Sequence, residues 1–154
     1  MVRNKNSESS KKTIDSSSPY YLHPFNNPGT VISTCILNGD NYDVWEKKMR
    51  NALRAKNKLA FIDGSLTTPS TDSGEFYLWE MCNSMLIAWI GNSIDYVLQP
   101  SIAYMEDAKA LWDDLKERFS IGNGPRVHQL KTDITNCKQH GKSILNYYIE
   151  LKRM

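Results

Sequence analysis

Apolar positions along the chain change their spacing several times, and each change predicts an element. Residues 1–18 hold Ser, Lys and Asn with little apolar content beyond Met1, Val2 and Ile14, so they are expected to form a disordered tail. From Pro19 to Gly29 the chain is aromatic but interrupted by Pro19, Pro24 and Pro28, which predicts an extended or turned arm rather than a helix. The β-branched run Val31 to Leu37 reads as a short strand or an extended lead-in. Asn38, Gly39, Asp40 and Asn41 then turn the chain, with Asp40 or Asn41 available to cap a helix.

Helical spacing follows. Trp45, Met49, Ala52 and Leu53 fall at i, i+4, i+7 and i+8 and predict a helix over 42–56. Leu59 to Ile62 is a brief apolar run ended by Asp63 and Gly64, with a polar loop reaching Gly74. Trp79, Cys82, Met85, Leu86, Trp89 and Ile90 give a second helix a wide apolar face over 75–91. A short helix over 93–99 should stop at Pro100. Ala108, Leu111, Trp112, Leu115 and Phe119 mark a helix over 106–120, with Glu106 and Asp107 where the helix dipole favours acids. Gly122 to Gly124 should end it, and Pro125 suits the first turn of a helix running to about 138. Ser143 caps a last helix carrying Leu145, Tyr148 and Ile149. That helix is still running at Met154, so the chain is expected to be truncated within it. The expectation is an all-α bundle of about five to six helices with an extended N-terminal arm, and with Trp45, Trp79, Trp89 and Trp112 in the core.

The size agrees: 154 residues suit one domain, here over 19–154, with four Trp, eight Tyr and four Phe to fill it. The longest apolar run, Met85 to Ile90, is far shorter than the ~20 residues of a membrane helix, and the polar N-terminus is no secretory signal. Cys35, Cys82 and Cys137 form no paired spacing, which argues for a reducing compartment, the cytoplasm, and against a disulfide framework or zinc site.

Catalytic signatures are thin. Asp72-Ser73-Gly74 matches an aspartic-protease tripeptide, but it sits in a polar loop leading to a helix, where Asp72 or Ser73 is an ordinary cap. His128 and His140 have no ligand set around them, and Cys137-x-x-His140 is one pair without its partner pair. Gly122-x-Gly124-Pro125 lacks the Lys and Ser/Thr of a phosphate loop. The reading is a non-enzyme with no cofactor, metal or small-molecule substrate.

Charge is more informative than its total of +2. Lys47, Lys48, Arg50, Arg54, Lys56 and Lys58 crowd 41–60 against two acids. Residues 61–119 carry ten acids and three bases, and 120–154 return to six bases against two acids. Solvated helix faces account for this pattern. So does head-to-tail association of identical chains, in which the acidic middle meets basic ends. RNA binding through the basic N-terminal and C-terminal segments is a third reading. There the tail, with four bases against two acids over 1–20, is joined by Lys47, Lys48, Arg50, Arg54, Lys56 and Lys58.

A resemblance joins these motifs. Tyr20-Tyr21-Leu22-His23-Pro24 with Asn27-Pro28-Gly29, then Leu37-Asn38-Gly39-Asp40-Asn41-Tyr42-x-x-Trp45 with Met49 and Leu53, resemble the N-terminal Gag region of plant copia-type retrotransposons. Ala55 to Leu59 followed by Phe61-Ile62-Asp63-Gly64, then Trp79, Trp89, Trp112-x-x-Leu115 and Phe119, and the Gly122 to Arg126 turn with Pro125, continue the likeness in order. The resemblance implies a capsid-like, non-catalytic helical fold that multimerises into particles enclosing element RNA. Its partners are then further copies of itself, and RNA. A non-functional retrotransposon relic is a fourth reading. Members of that family continue to a zinc knuckle, protease, integrase and reverse transcriptase, which lie beyond the motifs present here.

Overall fold

The computed structural model describes residues 13–120, and its order of elements follows the hydrophobic pattern closely. Four α-helices are present among them: α1 (Tyr42–Ala55), α2 (Ala60–Asp63), α3 (Phe76–Gly91) and α4 (Ala108–Ser120), with a 3-10 turn at Gln99–Ser101. The expected helices over 125–138 and 143–154, with Gly122, Pro125, His128, Cys137 and His140, lie outside the described residues. So do residues 1–12 of the expected tail; Asp15 to Ser18 form a turn closed by Ser18 N–H to the Asp15 carbonyl at 2.9 Å.

Among the described residues the fold is all-α. The Val31 to Leu37 run makes no strand: its one ladder contact is a bridge between Leu37 and Ile94, where Ser93 O accepts Leu37 N–H at 2.8 Å and Leu37 O accepts Asp95 N–H at 2.9 Å. Val31 and Ile36 are exposed.

α4 is the hub, packing against α1, α2 and α3. α1 buries Tyr42, Trp45, Met49 and Leu53, a single stripe at helical spacing, and α4 answers with Ala108, Leu111, Trp112 and Leu115. Trp45 and Trp112 stack with centroids 5.3 Å apart. α3 contributes Cys82, Leu86, Trp89 and Ile90. Trp79 departs from expectation: it is only partly buried, stacked on Phe76 at 5.8 Å near the start of α3.

Helix ends explain the loops. Asn41 occupies the cap position of α1 without a side-chain bond to the helix; its amide instead ties the preceding turn, accepting Asn38 N–H and donating to Ile36 O at 2.7 Å. Asp107 caps α4 through Oδ1, accepting Ala110 N–H at 2.7 Å. Neither Asp72 nor Ser73 caps α3; the helix starts later, at Phe76, and Ser73 Oγ accepts Glu75 N–H at 3.2 Å. The predicted helix over 93–99 is replaced by turns. Asp95 folds back on the chain, accepting Val97 N–H on its carboxylate and Leu98 N–H on its carbonyl, and Pro100 enters the first turn of the 3-10 segment instead of ending a helix.

α1 ends in a Schellman motif: Asn57 adopts φ 55°, its N–H reaches Arg54 O at 3.0 Å, and Lys58 N–H reaches Leu53 O at 2.8 Å. This left-handed residue turns Lys58 inward. Gly64 ends α2 at φ 84°, where a Cβ would also meet Lys109 Cε at 3.2 Å.

Two measurements test this packing. Trp45→Ala should cost on the order of 3–5 kcal/mol in denaturant unfolding, since it removes a fully buried indole. Tyr42 is 3% exposed and its hydroxyl has no hydrogen-bond partner among the described residues. Burial, helped by nearby Glu46, holds its phenol above the ordinary value of 10.0. The unfolded chain therefore releases this proton first, and stability falls as pH rises above 10.0. Tyr42→Phe should match or exceed wild-type stability near neutrality, by up to about 1 kcal/mol. Its advantage should widen in alkaline unfolding titrations.

Candidate functional site

The N-terminal arm is built from residues that cannot pair as a strand, and this decides how the body holds it. Pro19, Pro24 and Pro28 donate no N–H, while every arm carbonyl still requires a donor. Side chains of α3 and of the turns that end α1 and α3 supply several of them. Lys58 Nζ donates to Pro19 O and Tyr21 O, each at 2.7 Å, and Cys82 Sγ lies 3.4 Å from Tyr20 O between them. Trp89 Nε1 donates to Asn27 O at 2.9 Å, Asn92 Nδ2 to Pro28 O at 2.7 Å, and Asn57 Nδ2 to Ser17 O at 3.0 Å. Lys56 Nζ reaches Asn26 Oδ1 at 3.0 Å while lying 5.1 Å from the centre of the Trp89 ring.

Lys58 is 1% exposed. Burial pulls its ammonium below the usual lysine range and pushes the neighbouring Cys82 thiol up, so the thiol is held as a neutral donor. Lys58 therefore leaves the set of RNA-contacting residues: its charge is spent on two main-chain carbonyls inside the protein. Lys56 is half-buried and bonded to the neutral Asn26 Oδ1, which leaves its charge uncompensated. Lys47, Lys48 and Arg54 remain exposed on the outer face of α1, and Arg50, 4.0 Å from Glu46, is half-buried beside them.

The other sequence-derived residues are structural in placement. Tyr42, Trp45, Met49, Leu53, Phe61, Trp89, Trp112 and Leu115 are buried in one core, and Gly64 makes the left-handed turn after α2. Phe119 is partly buried, under the Arg118 guanidinium and 3.7 Å from the position a Cβ would take on Gly39. The sequence reading missed Asn57, Asn83 and Asn92. Asn83 is 4% exposed and bridges α3 to the start of α4, donating to Glu106 O at 2.7 Å and accepting Ala108 N–H at 2.8 Å. An asparagine directly after a helical stripe was the available signal for Asn57.

Asp72 is exposed in its loop, and among the described residues no three His, Cys, Asp or Glu side chains gather as a metal site. Surface is more plentiful. Tyr96 is 80% and Tyr104 93% exposed, and Val97 is exposed between them. Tyr96 lines a cleft of about 470 Å³ along α3 and the 3-10 turn, together with Ile87, Ala88, Asn92, Gln99 and Ile102.

Residues 23–70 match the family described as Gag-polypeptide of LTR copia-type. Over that stretch the chain is similar to copia-type Gag. It is also similar to the "Retrovirus-related Pol polyprotein from transposon RE1" of Arabidopsis thaliana, 21% identical over 120 residues. That alignment covers 72% of this chain and 8% of the relative, so the chain spans a small part of the curated protein it matches. No solved structure matches it. The matched Gag segment holds the arm from His23, all of α1 and α2, and thus Trp45, Lys56 and Lys58.

Lys58→Ala should release the arm. The expected loss is about 2–3 kcal/mol, that of charge-assisted bonds to buried carbonyls. Limited proteolysis should then cut within 13–30 faster than in the wild type, and an unchanged cleavage rate would show the arm held by other means.

Proposed function

We propose that this chain is a non-catalytic structural Gag segment which self-associates into capsid-like particles around element RNA, acting in the cytoplasm. The observation that carries this reading is the exposure of large apolar side chains that the fold leaves in water. Tyr96, lining the cleft, is 80% exposed, Tyr104 is 93% exposed and Val97 is exposed, and such side chains are what a second protein surface would cover. The family match supports a structural role, and Cys35 and Cys82 as free thiols suit a reducing compartment. Among the described residues no helix is long and apolar enough to cross a membrane. Charge supplies direction: residues 61–119 are strongly acidic, whereas the outer face of α1 is basic, so identical copies are steered head to tail.

Sedimentation velocity across protein and salt concentrations tests this. Self-association should strengthen with concentration and weaken with salt, because exposed charges are screened beyond ~8 Å at physiological ionic strength. A Tyr96→Ser/Tyr104→Ser double variant should stay folded and associate about tenfold more weakly. A strictly monomeric wild type at high concentration in low salt would sink the assembly reading.

The outer face of α1 favours a second reading, RNA binding in its own right. Lys47, Asn51 and Arg54 follow one another at i, i+4 and i+7, Lys48 lies alongside, and no acid occurs from Lys47 to Ile62. Replacing Lys47, Lys48 and Arg54 with Gln should lower the slope of log affinity against log salt by ~0.7 for each single-strand phosphate that is no longer neutralised.

A further inference from the structure

The arm's alternating rings have no part in the core or in the carbonyl clamp. Tyr21, His23 and Phe25 form a ladder: Tyr21 meets His23 edge-on with centroids 6.4 Å apart, and His23 and Phe25 lie 5.3 Å apart, 32° from parallel. The His23 ring is oriented by its Nδ1, which accepts Phe25 N–H at 3.3 Å. Phe25 ends the ladder 85% exposed. The fold gains nothing from a phenyl ring held in water.

The ladder is one wall of a cleft of about 480 Å³, and Ala55, Lys56 and Asn57 at the end of α1 form the opposite wall. Both walls come from acid-free chain: there is no Asp or Glu from Ser16 to Gly39, nor from Lys47 to Ile62. Arg54 and Lys56 flank Ala55, and Lys56 is fixed in place by Asn26 and the Trp89 ring. Stacking faces beside a positively charged wall without carboxylates are the pairing that recognises single-stranded nucleic acid.

We propose that this cleft binds single-stranded RNA, with an unpaired base stacking on Phe25 and the adjoining phosphates drawn to the basic end of α1. Every base offers a π-face, so the contact tolerates sequence but demands an unstacked strand. The proposal rests on the RNA reading of α1 only for its phosphate charge; the ring contact is independent of it.

Fluorescence anisotropy of a short 5′-labelled oligouridine with the whole chain tests it. Phe25→Ala should weaken binding about tenfold with an unchanged salt slope and melting temperature. Phe25→Leu should lose as much, because it keeps apolar bulk without the π-face, and Phe25→Trp should restore binding. Duplex RNA of equal length should compete poorly. Binding by Phe25→Ala or Phe25→Leu within twofold of wild type, or duplex competing as well as single strand, would overturn the proposal. If the slope still falls on replacing Lys47, Lys48 and Arg54 in that case, the α1 reading stands and the arm site alone fails.

Discussion

The carbonyl of Ser93 is the point on which the described structure converges. It accepts the Leu37 N–H at 2.8 Å and the Trp45 indole N–H at 3.1 Å, filling both lone pairs. Leu37 ends the arm, Trp45 belongs to α1, and Ser93 follows α3, so three elements meet on one oxygen. The Ser93 hydroxyl lies 3.1 Å from the same indole N–H and donates to Ile90 O at 2.7 Å, which turns the chain as α3 ends. The indole stacked on Trp112 brings in α4. Trp45 and Ser93 are both fully buried, so an indole N–H left without this acceptor would carry a full desolvation cost.

The arm obeys the same constraint in a different way. A segment with three prolines can neither join a sheet nor form a helix, yet it lies against the body and must satisfy its carbonyls. Lysine, tryptophan and asparagine side chains supply the donors that a neighbouring strand would otherwise have supplied. Lys58 is the extreme case, because a buried ammonium is tolerable only with acceptors around it. The arm and the body are therefore conditional on one another: without the arm's carbonyls the Lys58 charge would have no reason to be inside.

Legibility followed this physics. Amphipathic stripes were readable because burial at helical spacing writes itself into the sequence, and α1, α3 and α4 begin and end within a few residues of expectation. Gly64 was readable as a stop, since a left-handed residue after an apolar run has few alternatives to glycine. Lys58 was not readable. A lysine within a run of six basic residues looks solvated, and only the Asn57 turn, whose Schellman bonds are backbone geometry, points it inward. The stretch from Ser93 misled for a related reason: its residues tolerate a helix, but Ser93 and Asp95 are already committed to Leu37. Trp79 shows the limit of counting aromatics as core, since a ring near a helix start can stack on its neighbour Phe76 and stay half in water.

The Gag-matching stretch and the physical folding unit do not coincide. Residues 23–70 include Trp45, but its stacking partner Trp112 and its acceptor Ser93 both lie beyond that range. They include Lys58, but its acceptors Pro19 and Tyr21 lie before it. Cut to the matched boundaries, the segment would expose an indole and strand an ammonium, so it has no reason to fold alone. Among the described residues, the partners of Trp45, Lys58 and Asn57 spread from the turn at Asp15 to α4, because Asn57 reaches Ser17 and α4 closes the core against α1, α2 and α3. The family match covers the arm from His23, α1 and α2, while apolar partners of that stretch come from α3 and α4. In those helices many combinations of large apolar side chains fill the same volume.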